Sequence, residues 1–204
     1  MLLNPLRALP GALLLCALAL QPAAADPMPP DQLVRTTAED VLAVLRADPD
    51  GDMRALSEVV DTRVVDHFDF GAMTRLAVGK HWRQADSTQK ATLTDEFRTL
   101  LVRTYSVALK AFVDYHIDYR PLDLAADARQ ATVQTMVSKD GGKPIRMDYR
   151  MIARDDGWKV YDVLVDGVSL VVNYRSLFGS TVERSGIGGL IKLLHDKNVE
   201  GSTG

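Results

Sequence analysis

The chain has 204 residues, 47% of them apolar and 25% charged, with 14 glycines, nine prolines and one cysteine. That length and balance fit a compact globular domain and exclude collagen, coiled-coil and disulfide-scaffold architectures. The formal net charge is −3, with acidic and basic residues interspersed. No basic block points to nucleic acid, and no basic amphipathic helix points to stable membrane insertion.

Residues 1–25 read as a secretory signal peptide. Arg7 supplies a positive n-region, 12–20 is a short apolar run, and Ala23-Ala24-Ala25 is an A-x-A site, so cleavage is expected between Ala25 and Asp26. The apolar run is too short for a bilayer, which takes about 20 residues. A lipoprotein signal ending at Cys16 is the alternative, but Leu15 stands where lipidation wants a small residue. Cleavage would remove the cysteine, leaving a mature domain over 26–204 with no disulfide and no thiol chemistry. The style of the leader suggests a bacterial periplasm.

The mature chain is expected to be mainly helical over about 31–114, a sheet over 115–166 and helical again over 167–197. Leu33, Val34, Ala38, Val41, Leu42 and Leu45 fall at helical spacing, and Asp48-Pro49-Asp50-Gly51 stops that helix. A second helix is expected over 53–65, with Leu56, Val59 and Val60 inward. Asp69 can cap a third, short helix carrying Met73, Leu76 and Ala77 and ended by Gly79. Asp86-Ser87-Thr88-Gln89 is a capping-box pattern. The long helix after it places Leu93, Phe97, Leu100, Leu101, Tyr105, Ala108, Leu109 and Phe112 on one apolar face.

After Tyr115 the period changes from 3.6 to 2. Four alternating or apolar runs follow, with Asp140-Gly141 and Asp156-Gly157 as hairpin signals between them. The expectation is a four-stranded antiparallel meander covered by helices, an α+β architecture. Ser169 is read as the cap of the next helix, and 186–197 as the last one.

Much chemistry is missing. His67, His81, His116 and His195 are scattered without ligand spacing. Asp48-Pro49-Asp50-Gly51-Asp52 lacks the carboxylate that closes a calcium loop. There is no P-loop, no dinucleotide fingerprint and no nucleophile elbow. Asp162 stands out, mid-strand and by alternation on the side of Trp158 and Val160. It reads either as a general base in a cavity or as a strand carboxylate paired with Arg150 or Arg146. Phe97, Leu101, Tyr105, Tyr149, Met151, Val163 and Val168 would face the space between long helix and sheet, as ordinary core or as a ligand cavity.

Three sets of residues carry a family resemblance. They are Phe68-Asp69-Phe70-Gly71-Ala72-Met73-Thr74-Arg75 with Gly79, Trp82, Gln89, Phe97, Leu101 and Tyr105; Tyr149-Arg150 with Gly157-Trp158-Lys159-Val160-Tyr161-Asp162-Val163; and the run from Asp166-Gly167-Val168 to Leu177-Phe178. Together they resemble the MlaC, or toluene-tolerance, family over about 31–197. The departures are Leu177, where the family has Gln, and Asp166 in place of Glu. The resemblance implies a fold related to the cone of nuclear transport factor two. It implies a periplasmic phospholipid carrier working between an outer-membrane lipoprotein–porin complex and an inner-membrane ABC transporter, maintaining outer-membrane lipid asymmetry. Neither a catalytic residue nor a cofactor or metal is implied. The alternative is a small-molecule enzyme on the same cone, with Asp162 as base. Under the carrier reading the lipid sleeve would also be lined by Phe70, Met73, Leu76, Tyr161, Val165, Val171 and Tyr174. Met147 and Met151 would adapt to variable acyl chains.

Overall fold

The computed structural model describes residues 28–47, 58 and 60–201. The leader with its cleavage site, the stop signal at 48–51 and residues 53–57 and 59 of the expected second helix lie outside the described residues. Helix α1, Pro30–Ala47, buries Leu33, Val34, Val41, Leu42 and Leu45 along one face. Where the spacing predicts α-helix up to Val65, the chain from Val60 onward is a π turn over Val60–Val64 followed by a 3-10 turn over Val65–His67.

Helix α2, Phe70–Val78, starts where Asp69 accepts the Ala72 amide at 2.7 Å. It stops at Gly79, whose φ of 62° is costly for any residue with a Cβ. Its end is tied down from a distance: the Arg175 guanidinium donates through Nε and Nη2 to the Leu76 carbonyl at 3.1 and 2.8 Å. Helix α3, Ser87–Leu109, opens on the expected capping box. The Asp86 carboxylate accepts the Gln89 amide at 2.8 Å, and the Gln89 side chain accepts the Asp86 amide at 3.1 Å.

The sheet has five strands, not four: β1 His116–Tyr119, β2 Gln130–Ser138, β3 Ile145–Arg154, β4 Gly157–Val165 and β5 Val168–Ser169, each antiparallel to the next. Ser169 therefore ends a strand and does not open a helix. The extra strand follows from Asp166-Gly167. Both residues have positive φ, 49° and 82°, the conformation of a two-residue hairpin turn that matches strand twist. The turn is fixed by Asp166, whose carboxylate accepts the Arg146 amide at 3.0 Å while its own amide donates to the Arg146 carbonyl at 2.8 Å. Helix α4, Arg175–Glu200, follows and is interrupted at Gly186, φ 67°. The interruption falls where the sequence places the start of a last helix.

One irregularity decides which side chains share a face. Arg150 pairs with Asp162, but Met151 pairs with Val160, leaving Tyr161 without a partner. This bulge adds a residue to β4 and reverses the alternation beyond it. Val160, opposite Met151, and Val163, opposite Tyr149, consequently lie on the same face, together with Trp158 opposite Ala153. Uninterrupted alternation separates Val163 from Trp158 and Val160, and joins Asp162 to them. In the folded chain both assignments are reversed.

Three buried clusters form. One joins α2, α3 and α4 through Met73, Val78, Leu93, Phe97, Phe178 and Leu190. A second packs Leu33 and Val34 of α1 on Val133, Met151, Trp158, Val160 and Val163 of the sheet. The third gathers Val41, Leu42 and Leu45 of α1 with Val60 and Val65 of the turns.

Candidate functional site

Members of all three clusters line one cavity of about 420 Å³, within the usual range of ligand pockets, roughly 300–1,000 Å³. Its walls are the inner face of α1 from Leu33 to Leu45, the turns from Val60 to Phe68, the second half of α3 from Leu101 to Leu109, and the sheet face carrying Met147, Tyr149, Met151, Val160 and Val163. No Asp, Glu, Lys or Arg stands among the described lining residues; the polar side chains are Thr37, His67, Ser106, Tyr105, Tyr115 and Tyr149.

Three titratable groups of the wall, His67, Tyr105 and Tyr149, are shifted toward their neutral forms. Burial, then Lys159, pushes the His67 imidazole below its ordinary value. Burial raises the Tyr105 phenol to about 12, helped by the neighbouring Tyr174 hydroxyl to which it is hydrogen-bonded. Burial likewise raises Tyr149 to about 12, against a hydrogen bond with Thr135 that works the other way. Tyr149 keeps some accessible area, but its ring lies on the cavity wall. An uncharged apolar lumen can take up a long hydrocarbon. It offers no carboxylate or ammonium to move a proton.

The architecture has counterparts among known proteins. The family model described as MlaC protein matches residues 35–196. The chain belongs to the MlaC family. A family relative, the toluene tolerance protein ttg2D of Pseudomonas putida, is 26% identical over 164 residues, covering 77% of this chain and 74% of that protein. A phospholipid-binding protein from Ralstonia solanacearum, solved in complex with a phospholipid, is 34% identical with a TM-score of 0.74. The match spans 83% of this chain and 97% of the Ralstonia one.

In this MlaC-family chain, nine of the residues singled out from the sequence meet on the cavity wall: Phe70, Met73, Leu101, Tyr105, Met147, Tyr149, Met151, Val163 and Val165. Six lie elsewhere. Phe97 comes from the first half of α3, is 0% exposed, and packs edge-on against Tyr174 and Phe178, with ring centres 5.1 and 5.2 Å away. Tyr174 and Val171 belong to that same helical core, and Leu76 packs against it. Tyr161 occupies the bulge. Val168 sits on the short β5 and is 54% exposed. Conversely, the α1 face, the turn residues Val60, Val64 and Val65, and Val160 are wall residues that the sequence marks only as apolar. Helical spacing identifies an inward face but does not distinguish a packed interior from an empty one.

Asp162 faces away from the lumen. Its carboxylate is 0% exposed, accepts the Ser169 hydroxyl at 2.8 Å, and lies 3.5 Å from both the Arg150 guanidinium and the Val171 amide. Ser169 in turn accepts the Val172 amide at 3.0 Å. The carboxylate thus fastens β4 to the start of the C-terminal helical segment and is not placed as a base in the cavity. Among the described residues no group of three His, Cys, Asp or Glu could hold a metal ion.

Beside the cavity, behind Phe68 and Phe70, a polar depression is lined by Arg98, Arg154, Lys159, Asp66, Asp69 and Asp156. Its charges are largely matched internally. Arg154 Nε donates to Asp69 at 2.9 Å, and Lys159 lies 2.9 Å from Asp156.

Proposed function

We propose that this chain is a phospholipid carrier that holds acyl chains in the cavity between α1, α3 and the sheet, with the head group at the mouth. The observation that carries this reading is the uncharged lumen itself, built from three helical or turn segments and one sheet face. Each methylene withdrawn from water gives about 0.8 kcal/mol, so a single acyl chain is worth on the order of 10 kcal/mol. A monomeric lipid therefore cannot cross an aqueous gap unshielded. Inside a sleeve it is almost as well shielded as in a bilayer, and exchange with a membrane costs little net free energy. The phospholipid held by the similar Ralstonia protein supports the reading.

The carrier would be exported by the leader at residues 1–25 and would work in the periplasm. No helix of the described residues is long and apolar enough to cross a membrane. It would pass lipid between an outer-membrane lipoprotein–porin complex and an inner-membrane ABC transporter. Direction would come from those partners, since the sequence carries no nucleotide-binding motif. Organic extraction of the purified exported protein followed by lipid mass spectrometry is the test. Near-stoichiometric phospholipid is the expected result, and a lipid-free protein that takes up none from vesicles would overturn the reading. The intact mass of the same preparation should begin at Asp26. A lipidated Cys16 would overturn the assigned leader.

A further inference from the structure

Solvent reaches the lumen unevenly. Where Leu33 and Val34 meet Met151, Val160 and Val163 the lining is buried. Toward Leu109, Phe112, Tyr115, Ile117 and Val165 it is only half-buried. Two exposed cations converge on one residue of this rim. Arg46, in the last turn of α1, donates through Nε to the Val113 carbonyl at 3.2 Å and through Nη2 to the Tyr115 carbonyl at 3.1 Å. The register that pairs Ser138 with His116 carries Lys139 to the same place, its ammonium 5.3 Å from the centre of the Tyr115 ring. Carbonyls and a ring hold these cations in position without neutralising them. The lining is half-buried at Phe68 and Phe70 as well. There, however, the cations of the polar depression are engaged by carboxylates, Arg154 by Asp69, Lys159 by Asp156 and Arg98 by Asp61.

We propose that Arg46 and Lys139 bind the phosphodiester of the lipid whose acyl chains fill the lumen, so that the lipid emerges past Tyr115 and phospholipids are preferred to uncharged glycerolipids. The inference deepens the carrier reading and rests on it. Chains held in an uncharged lumen must present their head group where the lining meets water. A phosphodiester brings a negative charge on oxygens that guanidinium and ammonium both match. Because both cations are exposed, the phosphate stays at the surface and no burial of an ion opposes its binding. A diacylglycerol with the same chains fills the same lumen but offers the two cations only a hydroxyl.

The experiment uses the exported protein stripped of lipid, offered equimolar phosphatidylethanolamine and diacylglycerol of identical chains in mixed micelles, then repurified and extracted. Mass spectrometry reads the ratio of the two bound lipids. An Arg46→Gln, Lys139→Gln double variant should lower the phospholipid-to-diacylglycerol ratio about three- to tenfold relative to the wild type, the size of two solvated ion contacts. Lys139→Gln alone, which leaves the carbonyl bonds of Arg46 in place, should lower it about two- to threefold and decides the matter if the double variant does not fold. Lys192→Gln, outside the lumen lining, should leave the ratio unchanged. Added sodium chloride should lower the wild-type ratio and barely move that of the double variant. Ratios equal to the wild type in the Arg46 and Lys139 variants would overturn the inference while lipid uptake still upheld the carrier reading. Glycerophosphoethanolamine, the head group without chains, should not compete with phospholipid uptake. Competition that the double variant abolishes would assign the two cations to a soluble phosphoester and overturn the inference as well. Uptake of neither lipid would remove the carrier reading and this inference together.

Discussion

A carboxylate with no exposed surface is a costly thing for a strand to carry, and Asp162 shows what compensates it. The Ser169 hydroxyl, the Val171 amide and the Arg150 guanidinium converge on two oxygens. Neutralising the group as Asp162→Asn keeps its shape but mispairs at least one of these donors. The expected cost is about 1–3 kcal/mol, a drop of several degrees in melting temperature for a domain of this size. Bound lipid should be retained, because the side chain faces away from the cavity; denaturant melts and lipid extraction of the variant check both halves. The cavity tyrosines make a different prediction. Tyr105 and Tyr149 are raised to about 12 in the folded chain against an ordinary value of about 10. Between those values the unfolded chain has released protons that the folded one retains. Stability is therefore full below pH ~10 and is lost as pH rises toward 12. Melting temperature followed through that window should fall less in a Tyr105→Phe, Tyr149→Phe double variant than in the wild type.

The elements differ in how openly the sequence declares them. Asp69 and the Asp86–Gln89 pair cap α2 and α3 as their spacing predicts, because a cap is a local contract between residues three apart. Asp166-Gly167 is the same dipeptide as the other two hairpin signals, but the strand behind it pairs over two residues, too few to show alternation. The bulge at Tyr161 had no such signal. Neither glycine nor a polar cluster marks it, and it is seen only in the pairing of β4 with β3. Since side-chain period is two, one unpaired residue was enough to misplace Asp162 and Val160 while leaving the strand itself correctly identified. Two glycines show how far local geometry governs stability. A Cβ on Gly167 or on Gly188 would touch nothing within 4 Å, but Gly167 has φ of 82°. Gly167→Ala should therefore destabilise by about 1–2 kcal/mol through backbone strain alone. Gly188→Ala, within helix α4, should stabilise by roughly 0.5–1 kcal/mol. Opposite shifts in thermal melts are expected, and shifts of the same sign would refute this account of the turn.

At the scale of the molecule, the distribution of apolar residues between cavity wall and solid core is the property the sequence hides and the fold reveals. Phe97 and Tyr105 are two turns apart on one face of α3; one is sealed between Tyr174 and Phe178, the other looks into the lumen. Substitution by tryptophan separates the two environments. Val163 stands on the cavity wall, and Val171 is 0% exposed in the helical core. In Val163→Trp the added ring enters space that an acyl chain would fill, so the lipid-free protein should melt close to the wild type while bound phospholipid is lost. Val160→Trp should behave in the same way, because the bulge turns both valines to the lumen. In Val171→Trp there is no vacant volume. Overpacking should cost about 1–3 kcal/mol or more, and lipid should persist as long as the protein stays folded. Paired measurement of melting temperature and extractable phospholipid on the three variants distinguishes a sleeve from a filled interior. If Val163→Trp is destabilised as much as Val171→Trp and still retains its lipid, the ligand does not occupy this cavity.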